Sequence, residues 1–247
     1  MIRAVFILAF WGLSILLVGP LGLLVTVLTG NVGPLYWAAS KIGRLGVLMA
    51  GVRIEVRGRE HLTPGQNYIF MSNHASNLDP PVLLPLIPGR CSGLVKKELF
   101  RTPFFGAGMR LGDFVPVDRS DREAAIESVK AATQVLRKGL HMVIFPEGTR
   151  SPDGRLLPFK KGPFHLAMES GVPVVPVTIL GTFESWPKTR FALRPGRATV
   201  VFHKPLDPHN YPDRESLMKA VRDTIASALP AEHREAAPDR QATVTIS

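Results

Sequence analysis

The chain has 247 residues, 45% of them hydrophobic and 20% charged, so it can bury a sizeable core, and neither the disordered nor the collagen-like class fits. Thirty Lys and Arg against twenty Asp and Glu give a formal charge of +10, which favours an anionic partner: nucleic acid, a phosphorylated small molecule or anionic lipid. The single cysteine, Cys91, excludes an intrachain disulfide framework and a cysteine-rich zinc site.

Residues 4–29 carry no charge across 26 positions. As a straight helix they would run about 39 Å, against a bilayer core of about 30 Å. Gly19-Pro20 lies near the middle, where proline removes an intrahelical hydrogen bond, so a straight span competes with a kinked, shallow two-segment insertion. A cleaved signal peptide fits less well, because no small-x-small site closely follows the run. The next stretch places Leu35, Ala38, Ile42, Leu45 and Met49 at helical spacing, with Lys41 and Arg44 opposite and Tyr36-Trp37 available for a headgroup boundary. This is the pattern of an interfacial helix, with packing on the protein's own core as the alternative. Only Arg3 precedes the apolar run, whereas Lys41, Arg44, Arg53, Arg57 and Arg59 follow it. The positive-inside rule therefore puts the main domain on the cytoplasmic side of the plasma membrane, and the same cations suit anionic headgroups.

Beyond residue 50 the pattern alternates. GVRIEVRG, NYIFMSN, SGLVKK, DFVPV, HMVIFPEG, VPVVPVTI and ATVVFHK read as strands. Between them, Ser120 and Glu123 form a capping box for a helix with Ile126, Val129, Thr133 and Leu136 on one face and Gly139 at its end. Pro163 to Gly171 marks a second helix, and Leu217, Val221, Ile225 and Leu229 mark a third. The organisation expected is a membrane anchor and interfacial helix over 1–50, an α/β layered domain over 51–230, and a frayed tail over 231–247.

The loop NHASNLDP pairs His74, whose imidazole can take and return a proton near neutrality, with Asp79, a carboxylate able to fix its tautomer. Five residues apart, they lie about 140° apart on a straight helix, so a turn must join them. Taken alone, the motif more often means that Asp79 caps the helix opened by Pro80-Pro81 while His74 satisfies a buried backbone group. FPEGTRS, at the end of a strand, exposes small-residue backbone beside Arg150, with Lys160 and Lys161 ten residues on: an anion cradle. A third segment runs from Lys96-Lys97 to Asp118-Arg119 and again ends a short strand with a guanidinium.

The blocks NHASNLDP, KKELFRTPFFGAGMRLGDFVPVDR, FPEGTRS with FKKG, and VPVVPV occur in this order over about residues 67–180. Together they resemble the glycerolipid acyltransferases of the lysophosphatidate acyltransferase (PlsC-like) type. The resemblance implies a mixed central sheet flanked by helices, with His74 as general base and Asp79 as its orienter. It places Arg119, Glu147, Gly148, Thr149 and Arg150 around the acceptor's phosphate or glycerol, with Lys97 as a weaker carry-over beside Lys96. Glu147 would repel a phosphate, so it is expected to pair with Arg119 or Arg150, or to bind a hydroxyl. The resemblance assigns the VPVVPV segment, with Val174 and Pro176, to acyl contacts, against the plain reading of a buried strand.

The implied reaction is acyl transfer from acyl-CoA or acyl carrier protein to the sn-2 hydroxyl of lysophosphatidate, giving phosphatidate, with membrane lipids as surroundings. No cofactor, metal or covalent intermediate is required. The alternatives are another lysophospholipid or lyso-aminolipid acceptor, or a lipid-binding protein without catalysis. Cys91 reads as an inert buried thiol, no GxSxG elbow or HExxH pair occurs, and no nucleic-acid-binding motif accompanies the charge.

Overall fold

The computed structural model describes residues 1–118 and 122–234, without the side chains at 122, 123 and 125. Seven strands form one sheet: β1 (Val52–Arg57), β2 (Ile69–Ser72), β3 (Cys91–Lys96), β4 (Val115–Val117), β5 (His141–Ile144), β6 (Val174–Leu180) and β7 (Gly196–Phe202). Each overlaps one of the segments expected from the sequence, with β3 and β7 starting one and two residues earlier and β6 running one residue further. Their spatial order is β1-β7-β6-β2-β5-β3-β4, and every neighbouring pair is parallel except β6 with β7. Five strands therefore end on one edge of the sheet, and β1 and β7 begin there. In open α/β sheets the carboxyl edge of parallel strands is where ligands bind.

Alternation along the strands builds two cores. Phe70, Val143, Val175 and Val177 face one layer, whereas Ile69, Met71, Met142, Ile144 and Val174 face the other. The second layer is closed by α5 (Arg122–Arg137), α6 (Gly162–Ser170) and α8 (Arg214–Ala228). Buried Ala132, Val135 and Leu136 hold α5 to the sheet, and Gly139 follows it in the left-handed conformation, as expected. Ile126, placed on that inner face by its spacing, is instead 49% exposed, one turn beyond where the sheet reaches. The capping box Ser120–Glu123 lies outside the described residues. Pro163 opens α6 and Gly171 ends it. Asp213 and Ser216 cap α8 reciprocally, and its Leu217, Val221 and Ile225 are fully buried.

The first layer is closed by α1 (Ile2–Thr29), α2 (Gly33–Met49) and α3 (Asp79–Leu83). Short α4 (Phe105–Leu111) and α7 (Thr182–Ser185) complete the helices. Helix α1 runs without a break through Pro20, and an 18-residue stretch of it has a mean hydropathy of 2.3, so the helix is long and apolar enough to cross a membrane. It packs on α2 through small residues: a Cβ at Gly22 would strike Leu35, and one at Gly46 would strike the Trp11 ring. The opposite face of α1, with Leu13, Leu17, Leu21, Leu24 and Leu28, is exposed.

Helix α2 departs from a single lipid-facing stripe. Leu35, Ala38 and Ile42 are half-buried while Leu45 and Met49 are exposed, because Val47 and Ala50 pack into the core and Gly46 packs on Trp11 of α1. Tyr36, expected at a headgroup boundary, turns inward, its hydroxyl 3.0 Å from Cys91 Sγ and accepting the Cys91 N–H. Trp37 is the exposed partner, with Lys41 over its ring. The tail begins with a 3-10 turn, Ala231–His233, whose His233 carbonyl accepts the Leu156 N–H. Residues 235–247 lie outside the described part.

Candidate active site

Strand β2 ends at Ser72, and the chain turns at once through the loop that carries His74. Asn73 sets this departure: its side-chain amide exchanges two hydrogen bonds with the Ile179 backbone, continuing the β2–β6 ladder by a side chain. The loop then doubles back so that His74 Nδ1 lies 2.8 Å from Asp79 Oδ2. The same oxygen accepts the N–H groups of Ala75 and Ser76, each at 2.8 Å, while Oδ1 accepts the Thr182 hydroxyl at 2.6 Å. Asp79 opens α3 without capping it forward. Its carboxylate looks backward into the loop, so the capping alternative is set aside.

Burial gives this pair its character. Asp79 is 1% exposed, and its carboxylate is satisfied wholly by donors, as a buried charge requires. With Nδ1 engaged there, Nε2 on the far side of the ring has no protein partner among the described residues, and it is not a buried unsatisfied atom. The His74 ring stacks on Phe145, centroids 4.1 Å apart. An imidazole oriented by a carboxylate on one nitrogen and open on the other is the arrangement of a general base.

The third block fixes the backbone of His74 from both sides. The His74 N–H donates to Glu147 Oε1 at 2.6 Å, and the His74 carbonyl accepts the Ser151 N–H at 2.7 Å. The other Glu147 oxygen accepts the Leu157 N–H at 3.0 Å. Glu147 thus serves backbone donors, while Arg150 donates to Asn77 instead, and at 2% exposure the Glu147 side chain is buried. Burial pushes its carboxyl up to about 8, and the neighbouring charge of Asp79 adds to this. Arg222, stacked on Phe159, holds the same segment by donating to the carbonyls of Leu156 and Leu157.

Around this centre the cations form a rim. Arg150 is half-buried and donates to Asn77 Oδ1, which brings the third block to the His74 loop. Gly148 turns the chain with φ +73, and Thr149 and Lys160 are exposed beside it. Lys97, at the end of β3, pairs with Asp118 at the end of β4, whereas Lys96 pairs with Glu98. The Asp118 carboxylate holds the Lys97 ammonium above its ordinary pKa. Arg119 lies outside the described residues.

Val174 and Pro176 are buried inside β6, and Val174 sits at the strand's beginning in the core under α8, away from the edge that carries His74. Their burial agrees with the plain reading of a central strand covered on both faces. Cys91 is buried, its thiol raised to about 11 by desolvation, and so is inert. Sequence reasoning missed Asn73, Asn77 and Thr182. The first two stand inside the NHASNLDP block, but Thr182 gives no local signal.

A histidine oriented by a buried carboxylate at the carboxyl edge of a mixed sheet, with Arg150 tied to the same loop, suits a transferase for acyl groups and anionic acceptors. The chain belongs to the acyltransferase family, whose model matches residues 53–180. It is 39% identical over 196 residues to the 1-acyl-sn-glycerol-3-phosphate acyltransferase of Limnanthes alba, covering 78% of this chain and 69% of that one. It is 32% identical over 204 residues to the alpha enzyme of that name from Bos taurus, covering 81% and 70%. The crystal structure of the 1-acyl-sn-glycerophosphate acyltransferase PlsC from Thermotoga maritima superposes with a TM-score of 0.80 at 28% identity, covering 91% of this chain and 92% of that one.

Proposed function

We propose that the protein transfers a fatty acyl group from an acyl thioester to the sn-2 hydroxyl of lysophosphatidate, giving phosphatidate. The observation that carries this reading is the His74–Asp79 pair at 2.8 Å, with Arg150 tied to the same loop through Asn77. His74 Nε2 takes the proton of the acceptor hydroxyl as its oxygen attacks the thioester carbonyl. Collapse of the tetrahedral intermediate breaks the carbon–sulfur bond, and the imidazolium returns the proton to the departing thiolate. Asp79 stabilises the imidazolium formed in between. Arg150, with Arg119, Lys97 and Lys160, receives the acceptor's phosphate, and Gly148 and Thr149 offer backbone beside it. Both acyl-CoA and acyl carrier protein present the same reacting thioester, and no cofactor enters the scheme.

The acceptor reaches this site from a membrane. Strand β1 starts three residues after α2 ends and runs antiparallel to β2, so the α1–α2 hairpin meets the sheet at the edge that holds His74. Trp11 of α1 stacks on Trp186, whose carbonyl accepts the Ser76 hydroxyl and the Asn77 N–H. The exposed apolar face of α1 lies in the bilayer, and the catalytic domain sits on the cytoplasmic leaflet, where the basic residues following α1 meet anionic headgroups.

The test is product analysis. Detergent-purified protein with lysophosphatidate and a labelled acyl thioester should yield labelled phosphatidate. Label appearing only with other lysophospholipid or lyso-aminolipid acceptors would transfer the assignment to them. Lipid binding without any labelled product would leave a non-catalytic lipid-binding protein.

A further inference from the structure

Strand β6 is buried, and it ends beside the His74–Asp79 pair. Its last residues lead into Gly181 and then Thr182, whose hydroxyl donates to Asp79 Oδ1 across 103 positions of sequence. We propose that Thr182 is a positioning residue for the acyl transfer, locking the plane of the Asp79 carboxylate so that Oδ2 stays on His74 Nδ1; this rests on the reading of His74 as the general base.

Three donors converge on Oδ2: His74 Nδ1 and the N–H groups of Ala75 and Ser76, all at 2.8 Å. Convergence on one oxygen leaves a carboxylate free to pivot about it. Among the described residues the Thr182 hydroxyl is the one group on the other oxygen, and both residues are buried, Asp79 at 1% and Thr182 at 2%, so bulk water does not replace it. A threonine at the first position of a helix usually turns its hydroxyl to local backbone. Here it turns to a carboxylate on another element.

The delivery of Thr182 is itself fixed. Gly181 adopts φ +78, and a Cβ there would lie 1.9 Å from the Arg197 carbonyl oxygen, so β7 closes directly on the turn and only glycine passes. From the other end of α7, the Trp186 N–H donates to the Thr182 carbonyl, and the Trp186 carbonyl accepts from Ser76 and Asn77. The single turn of α7 therefore grips the His74–Asp79 loop at both its ends, and the hydroxyl is the contact that reaches the reacting pair.

Thr182→Val removes the hydroxyl at nearly constant volume, and Thr182→Ser keeps it. We expect kcat to fall on the order of tenfold in Thr182→Val with KM for both substrates little changed, and Thr182→Ser to recover most of the loss. Proton NMR of the substrate-free protein gives a second readout. With Oδ1 released, the carboxylate pivots and Oδ2 is no longer held on His74, so the Nδ1–H resonance should move upfield and broaden in Thr182→Val and return in Thr182→Ser. Should Thr182→Val not fold, Thr182→Ala supplies the hydroxyl-free comparison. An unmoved resonance overturns the proposal, whether kcat is kept or is lost without recovery by serine. Because the resonance needs no substrate, a wild-type protein that makes no phosphatidate would sink the functional reading, and the NMR comparison would still decide the role of Thr182.

Discussion

The backbone N–H of His74 donates to the side chain of Glu147 at 2.6 Å, so the carboxylate of the FPEGTRS motif acts on the main chain of the base. Glu147 and Asp79 thereby divide the work. One fixes where the His74 backbone stands, and the other fixes how its ring is turned.

This burial makes stability depend on pH in a definite direction. The folded protein holds the Glu147 proton more tightly than the unfolded chain, from an ordinary 4.5 up to about 8. Its contribution is therefore full below the unfolded value and is lost as pH rises through the window from 4.5 to 8. Wild type should lose stability relative to Glu147→Gln across that window, with a slope of at most about 1.4 kcal/mol per pH unit. Denaturant unfolding at a series of pH values measures it, and parallel curves for the two proteins would contradict it.

Asp79→Asn should be far more damaging to turnover than to substrate binding. Whichever way the amide is turned, its NH2 group faces donors that now point at carboxylate oxygens. We expect kcat to fall by about 10³-fold or more, as loss of the orienting carboxylate does in acyl-transfer triads, together with a stability loss of about 1–3 kcal/mol. Steady-state kinetics and thermal melts on one preparation separate the two effects.

Arg150→Ala should raise KM for lysophosphatidate by roughly 10- to 100-fold while leaving KM for the thioester near its original value, because a guanidinium bond to phosphate is lost and no reacting atom is touched. Arg150→Lys should recover part of the loss. Equal effects on both KM values would mean that Arg150 acts through the loop it ties at Asn77.

Much of this was legible in the sequence because it is written locally. Alternation marked all seven strands, the Pro163 and Gly171 punctuation marked α6, and NHASNLDP singled out His74 and Asp79, which the structure brings together. The antiparallel pairing of β6 with β7 was not legible, since strand order depends on contacts between distant segments. Tyr36 misled for a similar reason: an aromatic beside an apolar run suits a headgroup boundary, but a buried Cys91 backbone group on β3 claimed its hydroxyl. The backbone partners of Glu147 were not legible, because sequence shows a carboxylate among cations and not that backbone donors lie beneath it. Thr182 was invisible, as its partner stands 103 residues away.

Charging the outer face of α1 should detach the protein from membranes without unfolding it. Leu17 and Leu21 are 66% and 62% exposed and belong to neither buried core. The double variant Leu17→Asp, Leu21→Asp should shift from the vesicle pellet to the supernatant in a flotation or sedimentation assay, with circular dichroism unchanged. Undiminished vesicle binding would mean that this face does not enter lipid.

The most direct test of the central claim is the rate of phosphatidate formation by His74→Ala beside wild type, under saturating lysophosphatidate and acyl thioester. If His74 is the base, kcat should fall by about 10²- to 10⁴-fold while bound lysophosphatidate is retained. A variant that turns over within a few-fold of wild type would contradict the assignment of His74 as the group that takes the hydroxyl proton.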